Sequence, residues 1–68
     1  MNQNIIEAWT AIKLAVTELD VDVVKNAKGN ASAGIRARKG LRALRDKLSE
    51  LVKTTLNEEK SAKEDAAE

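Results

Sequence analysis

The chain has 68 residues, and 12 lysines and arginines against 11 aspartates and glutamates leave a formal net charge of +1. It has no cysteine, histidine, proline, phenylalanine or tyrosine, and a single tryptophan. This excludes more than one domain, a disulfide framework, thiol catalysis, a thiolate or imidazole metal site and an imidazole general base. Apolar runs of only a few residues exclude a membrane span, and no signal peptide is expected. The expected setting is cytoplasmic, within a nucleoid, or within a phage or virion.

The first element in chain order is a helix over about 4–28. Ile5, Trp9, Ile12, Val16, Leu19 and Val23 follow alternating steps of four and three, the a/d seam of a helix that packs on another helix. Asn2 or Asn4 suits its N-cap. Lys28 and Gly29 suit its end, a cation in the last turn and then a residue free to take positive φ. The cluster Val21 to Val24 lies inside this period, so no strand is expected. A second, uncharged stripe of Ile6, Thr10, Leu14, Thr17, Val21 and Val24 runs well away from the seam.

A turn follows near 28–30, with Asn30 as the N-cap of a second helix over about 31–57. Gly34, Ala37, Leu41, Leu44, Leu48, Leu51 and Thr55 repeat the seam spacing. Two helices joined by so short a turn predict an all-α, antiparallel helical hairpin. Pairing across the turn sets Gly34 and Ala37 opposite Val23 and Leu19, with Leu48 and Leu51 near Trp9. Gly34 then lets the two backbones approach. Residues 58–68 form an acidic tail without a large apolar face and are expected to be partly disordered. A hairpin over residues 1–57 has too little core to stand alone. It is therefore expected to dimerise into a four-helix bundle or a higher helical assembly. Ile6, Leu14, Val21 and Val24 would form the oligomer interface, with the first helices inside.

Segmenting the charge changes the meaning of its total. Residues 1–24 hold Lys13 against Glu7, Glu18, Asp20 and Asp22, a net of −3. Residues 25–53 hold nine cations against Asp46 and Glu50, a net of +7. Residues 54–68 return to −3. The middle segment is where an anionic partner should bind. Arg38, Arg42 and Arg45 stand at i, i+4 and i+7, one row along a helix, and Lys53 extends it. Arg36 and Lys47 fall on the other flank, with Lys39 on the outer face. Near the turn, Lys25, Lys28 and Arg36 surround a helix N-terminus whose N–H groups favour an anion, and Asn30 and Ser32 add hydrogen-bonding groups. Arginine forks match phosphate geometry. The single aromatic residue lies in the seam, so no stacking platform for unpaired bases exists. The candidate nucleic-acid-binding residues are Lys28, Asn30, Arg36, Arg38, Lys39, Arg42 and Arg45.

No catalytic chemistry competes with this reading. Asp20 and Asp22 lie on different sides of a helix, unsuited to paired acid/base work or to one metal. No serine has a histidine to activate it, and the glycines form no phosphate-binding loop. An enzyme, a cofactor, a metal, a small-molecule substrate and a membrane partner are not expected.

The stretch Lys28-Gly29-Asn30-Ala31-Ser32-Ala33-Gly34-Ile35-Arg36-Ala37-Arg38-Lys39-Gly40-Leu41, continuing to Leu44 and Leu48, resembles the bacterial and phage histone-like family related to the chlamydial linker-histone-like protein. Turn, small-residue run and basic triplet occur together at one spacing, and the resemblance covers roughly residues 20–56. It implies a small helical, nucleoid-associated DNA-binding protein, and by matching position it singles out Lys28, Arg36, Arg38 and Lys39. The chlamydial type has a long lysine-rich C-terminal arm, whereas the tail here is acidic and is placed to compete with DNA for the basic helix. The function expected is sequence-neutral binding to the DNA phosphate backbone by a homo-oligomeric protein. The alternative is a helical protein–protein adaptor or assembly factor whose basic face meets an acidic partner.

Overall fold

The structure is a computed structural model that describes residues 2–67, with side chains as far as Lys60. Two helices, α1 (Gln3–Ala27) and α2 (Ala31–Ala67), pack against each other as a hairpin. At 1.5 Å per residue α2 is roughly 55 Å long. It sets the long axis of a molecule measuring 58 × 17 × 12 Å. The helix backbone of α2 passes the boundary expected at Asn57. The expectation of a partly disordered tail falls largely on residues 61–68, whose side chains lie outside those described.

Local sequence explains both ends of α1. The Asn2 side chain accepts from the Ile5 N–H at 3.0 Å, so the first turn is capped. At the other end Lys28 is the C-cap and Gly29 adopts φ 101°. The Gly29 N–H donates to the Asn26 carbonyl at 2.9 Å and the Asn30 N–H to the Lys25 carbonyl at 3.0 Å. That crossed pair is a Schellman motif, which satisfies carbonyls that the helix end leaves without partners. Asn30 then starts α2: its Oδ1 accepts from the Ala33 N–H at 2.9 Å. The turn is therefore three residues long, Lys28 to Asn30.

The contact line between the helices is built from small residues. Ala33 and Ala37 are buried, and so is Gly34. Ile12 is the one large apolar side chain buried among the described residues. Ile5, Ala8, Ala15, Leu19 and Asp22 line α1 on the same stripe and are half-buried, as are Gly40, Leu44 and Leu51 on α2. A Cβ on Gly40 would collide with the Leu19 side chain, so Leu19 packs directly on the α2 backbone. A Cβ on Gly34 would collide with the Asn26 side chain amide. Gly34 does allow close approach, but beneath Asn26, not beside Val23 and Leu19.

This corrects the predicted seam. Ile5, Ile12 and Leu19 point inward, but Trp9, Val16 and Val23 are 49%, 51% and 42% exposed. Leu41 and Leu48 are likewise exposed, and Leu51 lines a groove with Ala8 and Ile12. The physical reason is size. Alanine and glycine stripes on both helices let the axes come close, and at that spacing a stripe of Trp, Val and Leu does not fit between them. Thr10 and Thr17 donate their hydroxyls to the carbonyls of Ile6 and Lys13, at 2.9 and 3.0 Å. Their methyl groups thus complete an apolar stripe with Leu14 and Val21, which are exposed.

The turn makes a direct prediction. Gly29→Ala places a Cβ on a left-handed backbone and should lower stability by about 1–2 kcal/mol. Gly29→Asn should lose less, because asparagine tolerates that region. Urea unfolding followed by helical circular dichroism measures both.

Candidate nucleic-acid interface

Helical periodicity divides the basic residues of α2 between two faces. Arg36, Lys39 and Lys47 line a groove between the helices, opposite Glu18 and Asp22 of α1. Arg38, Arg42 and Arg45 stand on the other, solvent side of α2 and are exposed. Along the axis they span about 10.5 Å at 1.5 Å per residue. Lys28 lies in the turn, and Asn30 starts α2. The seven predicted residues therefore do not converge on one face.

Their electrostatic states differ as well. Arg36 Nε donates to Asp22 Oδ1 at 3.0 Å, an ion pair that ties α2 back to α1. The arginine side chain is 54% exposed and the aspartate 25%, so water screens the pair. Its contribution belongs with surface ion pairs, about 0.2–1 kcal/mol. Arg45 approaches Asp46 at 3.7 Å and Lys53 approaches Glu50 at 3.9 Å, both fully at the surface. Pairs this long and exposed hold little. Among the described residues Arg38 and Arg42 have no acidic partner within 4.0 Å.

Asn30 has a structural duty. Its side chain oxygen caps α2, its N–H closes the Schellman motif, and its carbonyl accepts from the Asn26 side chain at 3.3 Å and from the Gly34 N–H at 3.2 Å. Its acceptors are therefore occupied in holding the turn. Asp22 is not among the residues that the sequence singles out for this face. The signal for it is the hairpin register, which sets it level with Arg36.

With this geometry in hand, the family comparison is specific. A family model described as histone H1-like protein Hc1 matches residues 6–61. The chain belongs to this family. No curated protein and no solved structure matches it. The match extends the resemblance read from residues 20–56 over nearly all of α1. Of the four positions that resemblance singled out in this Hc1-family chain, Arg36 and Lys39 line the inter-helix groove. Arg38 lies on the outer row, and Lys28 in the turn. No described helix is long and apolar enough to cross a membrane.

The Asp22–Arg36 pair is testable without any ligand. Asp22→Asn should cost about 0.2–1 kcal/mol of stability at low salt and almost nothing at high salt. Urea midpoints of the two chains at both salt levels measure the difference. A loss that high salt leaves unchanged would assign Asp22 a packing role instead.

Proposed function

We propose that this histone-like chain binds duplex DNA through phosphate contacts, without regard to base sequence, and associates with the nucleoid as a homo-oligomer. What supports the reading is the outer row of Arg38, Arg42 and Arg45, exposed on a helix that belongs to a histone H1-like family. That family is one of structural, histone-like proteins, not of enzymes. Guanidinium groups on one helical line are suited to successive phosphates of one strand. Lys53 continues the line, and Lys28 adds charge at the turn. Arg36 and Lys39 contribute from the far flank, with Arg36 retaining its remaining N–H donors beyond the one given to Asp22. Asn30 acts by fixing the turn from which the row is measured, in addition to any contact of its own.

No aromatic or amide array favours base readout, so affinity comes from released counterions and falls steeply with salt. Self-association multiplies the effect: several rows on one particle bind by effective concentration, and weak single contacts add up. Ile6, Leu14, Val21 and Val24 are available for such contacts, Ile6 half-buried and the others exposed. The acidic segment after Asn57 competes with phosphate for the same cations.

Reversing Arg38, Arg42 and Arg45 to glutamate should abolish retardation of unrelated duplexes in gel shifts and leave helicity intact. Neutralising them to glutamine should reduce the slope of log affinity against log salt by about 2.7, on the order of 0.9 per lost phosphate contact. Equal binding by the glutamate variant would defeat the reading. A chain ending at Asn57 should bind more tightly than the full chain. No shift with either length would favour the protein adaptor.

A further inference from the structure

The cations of α2 stand on two faces, and the acids of α1 lie beside only one of them. In the groove between the helices Glu18 and Asp22 share the walls with Arg36, Lys39 and Lys47. On the outer row Arg38 and Arg42 have no acidic partner within 4.0 Å among the described residues. The contrast is sharpest at Arg36. Its Nε donates to Asp22 Oδ1 at 3.0 Å, the one ion pair between the two helices among the described residues.

We propose that Asp22 competes with phosphate for Arg36 and so decides which basic face of α2 engages DNA, a role that rests on the DNA-binding reading above. Asp22 supplies what a phosphate would supply, an anionic oxygen on a guanidinium N–H. The pair occupies Nε and leaves the Nη groups for a ligand. A phosphate bound there stands across a single guanidinium plane from the carboxylate. That is well inside the roughly 8 Å over which charges act at physiological salt. Two anions then share one cation, and their repulsion opposes binding at this face.

Burial strengthens the competitor. The Asp22 side chain is 25% exposed, against 76% for both Asp46 and Glu50, so water shields its charge least among the three paired acids. The Schellman turn sets Asp22 level with Arg36 before any ligand arrives, which gives the carboxylate a high effective concentration. Glu18, one turn earlier on α1, extends the acidic wall along the same groove. The Arg36 side chain is itself 54% exposed, so phosphate can reach it and displace the pair. The groove face is thus attenuated, and the outer row engages phosphate first.

Fluorescence anisotropy of a labelled duplex of arbitrary sequence, titrated with the full chain across a salt series, tests this role. Asp22→Asn removes the charge and keeps an oxygen for Nε. It should tighten binding about two- to five-fold at low salt, the worth of one exposed ion pair. It should also steepen the log–log salt dependence by up to about 0.9, one phosphate contact. Asp22→Ala should tighten binding as well. Asp20→Asn makes the same charge change on another side of α1 and measures the effect of net charge alone. In an Arg36→Gln background Asp22→Asn should gain no more than Asp20→Asn does, the signature of two coupled residues. An equal gain from Asp22→Asn with and without Arg36, or one no larger than that of Asp20→Asn, overturns the competition in favour of net charge. Weaker binding by both Asp22 variants overturns it in favour of an aspartate that aims Arg36 at phosphate. Either result, with duplex binding by the unaltered chain, leaves the DNA-binding reading standing. No binding by the unaltered chain or any variant at low salt ends both. Should Asp22→Asn lose helicity, the arginines decide: Arg36→Gln should cost less affinity than Arg42→Gln, and an equal loss overturns the proposal.

Discussion

The line of half-buried Ala8 and Ala15 on α1 and of Ala33, Gly34, Ala37 and Gly40 on α2 sets the spacing of the two helices, and most other features follow from that spacing. Small residues bring backbones together, so contact is made near the helix axes and large side chains have no room between them. Leu19 fits only because Gly40 presents no Cβ. Trp9, Val16, Val23, Leu41 and Leu48 are pushed to the edges, where a monomer leaves them half in water. The hairpin thus gains close packing and gives up burial. Burial is the dominant favourable term in folding, at about 25 cal/mol per Å² of apolar surface. A fold with a narrow seam and wide apolar edges resembles half of a core more than a whole one.

The turn fixes how the seam is read out along the helices. Lys28, Gly29 and Asn30 leave no slack: the Schellman bonds end α1, and the same Asn30 that closes them caps α2. Asp22 and Arg36 stand equally far from the two ends of that turn, and their ion pair follows from it. Register also places Leu19 on Gly40 and Asn26 on Gly34. A strained turn would loosen all three contacts at once, which is why the one positive φ in the described chain is at glycine.

Much of this was legible in the residues. The capping asparagines, the Lys-Gly-Asn turn, the helical period of both segments and the antiparallel pairing all have local causes that sequence displays. Which of two neighbouring stripes forms the seam was not legible. Ile5, Ile12 and Leu19 belong to both candidates, and the choice lay between Trp9, Val16 and Val23 on one side and Ala8, Ala15 and Asp22 on the other. A hydrophobicity pattern favours the larger residues, because it weighs area and ignores how closely two axes can approach. The alanines on the first helix acquire meaning only with the small residues of the second, as Ala15 does in lining one groove with Gly40 and Ala43, which is information about a pair. The same holds for Asp22, whose role exists only in relation to Arg36. The arginine row needed no partner to be seen, since i, i+4, i+7 spacing on an outer face is a property of one helix.

The seam also decides how a chain of net charge +1 can present a positive face. The acids of α1 do not spread their field evenly. Glu18 and Asp22 line one groove with Arg36, Lys39 and Lys47, and Asp22 pairs with Arg36 at 3.0 Å. Interactions beyond about 8–10 Å are screened at ordinary salt, so these acids offset the cations beside them far more than the row on the opposite side of α2. Arg38 and Arg42 therefore keep a local field that the total charge conceals.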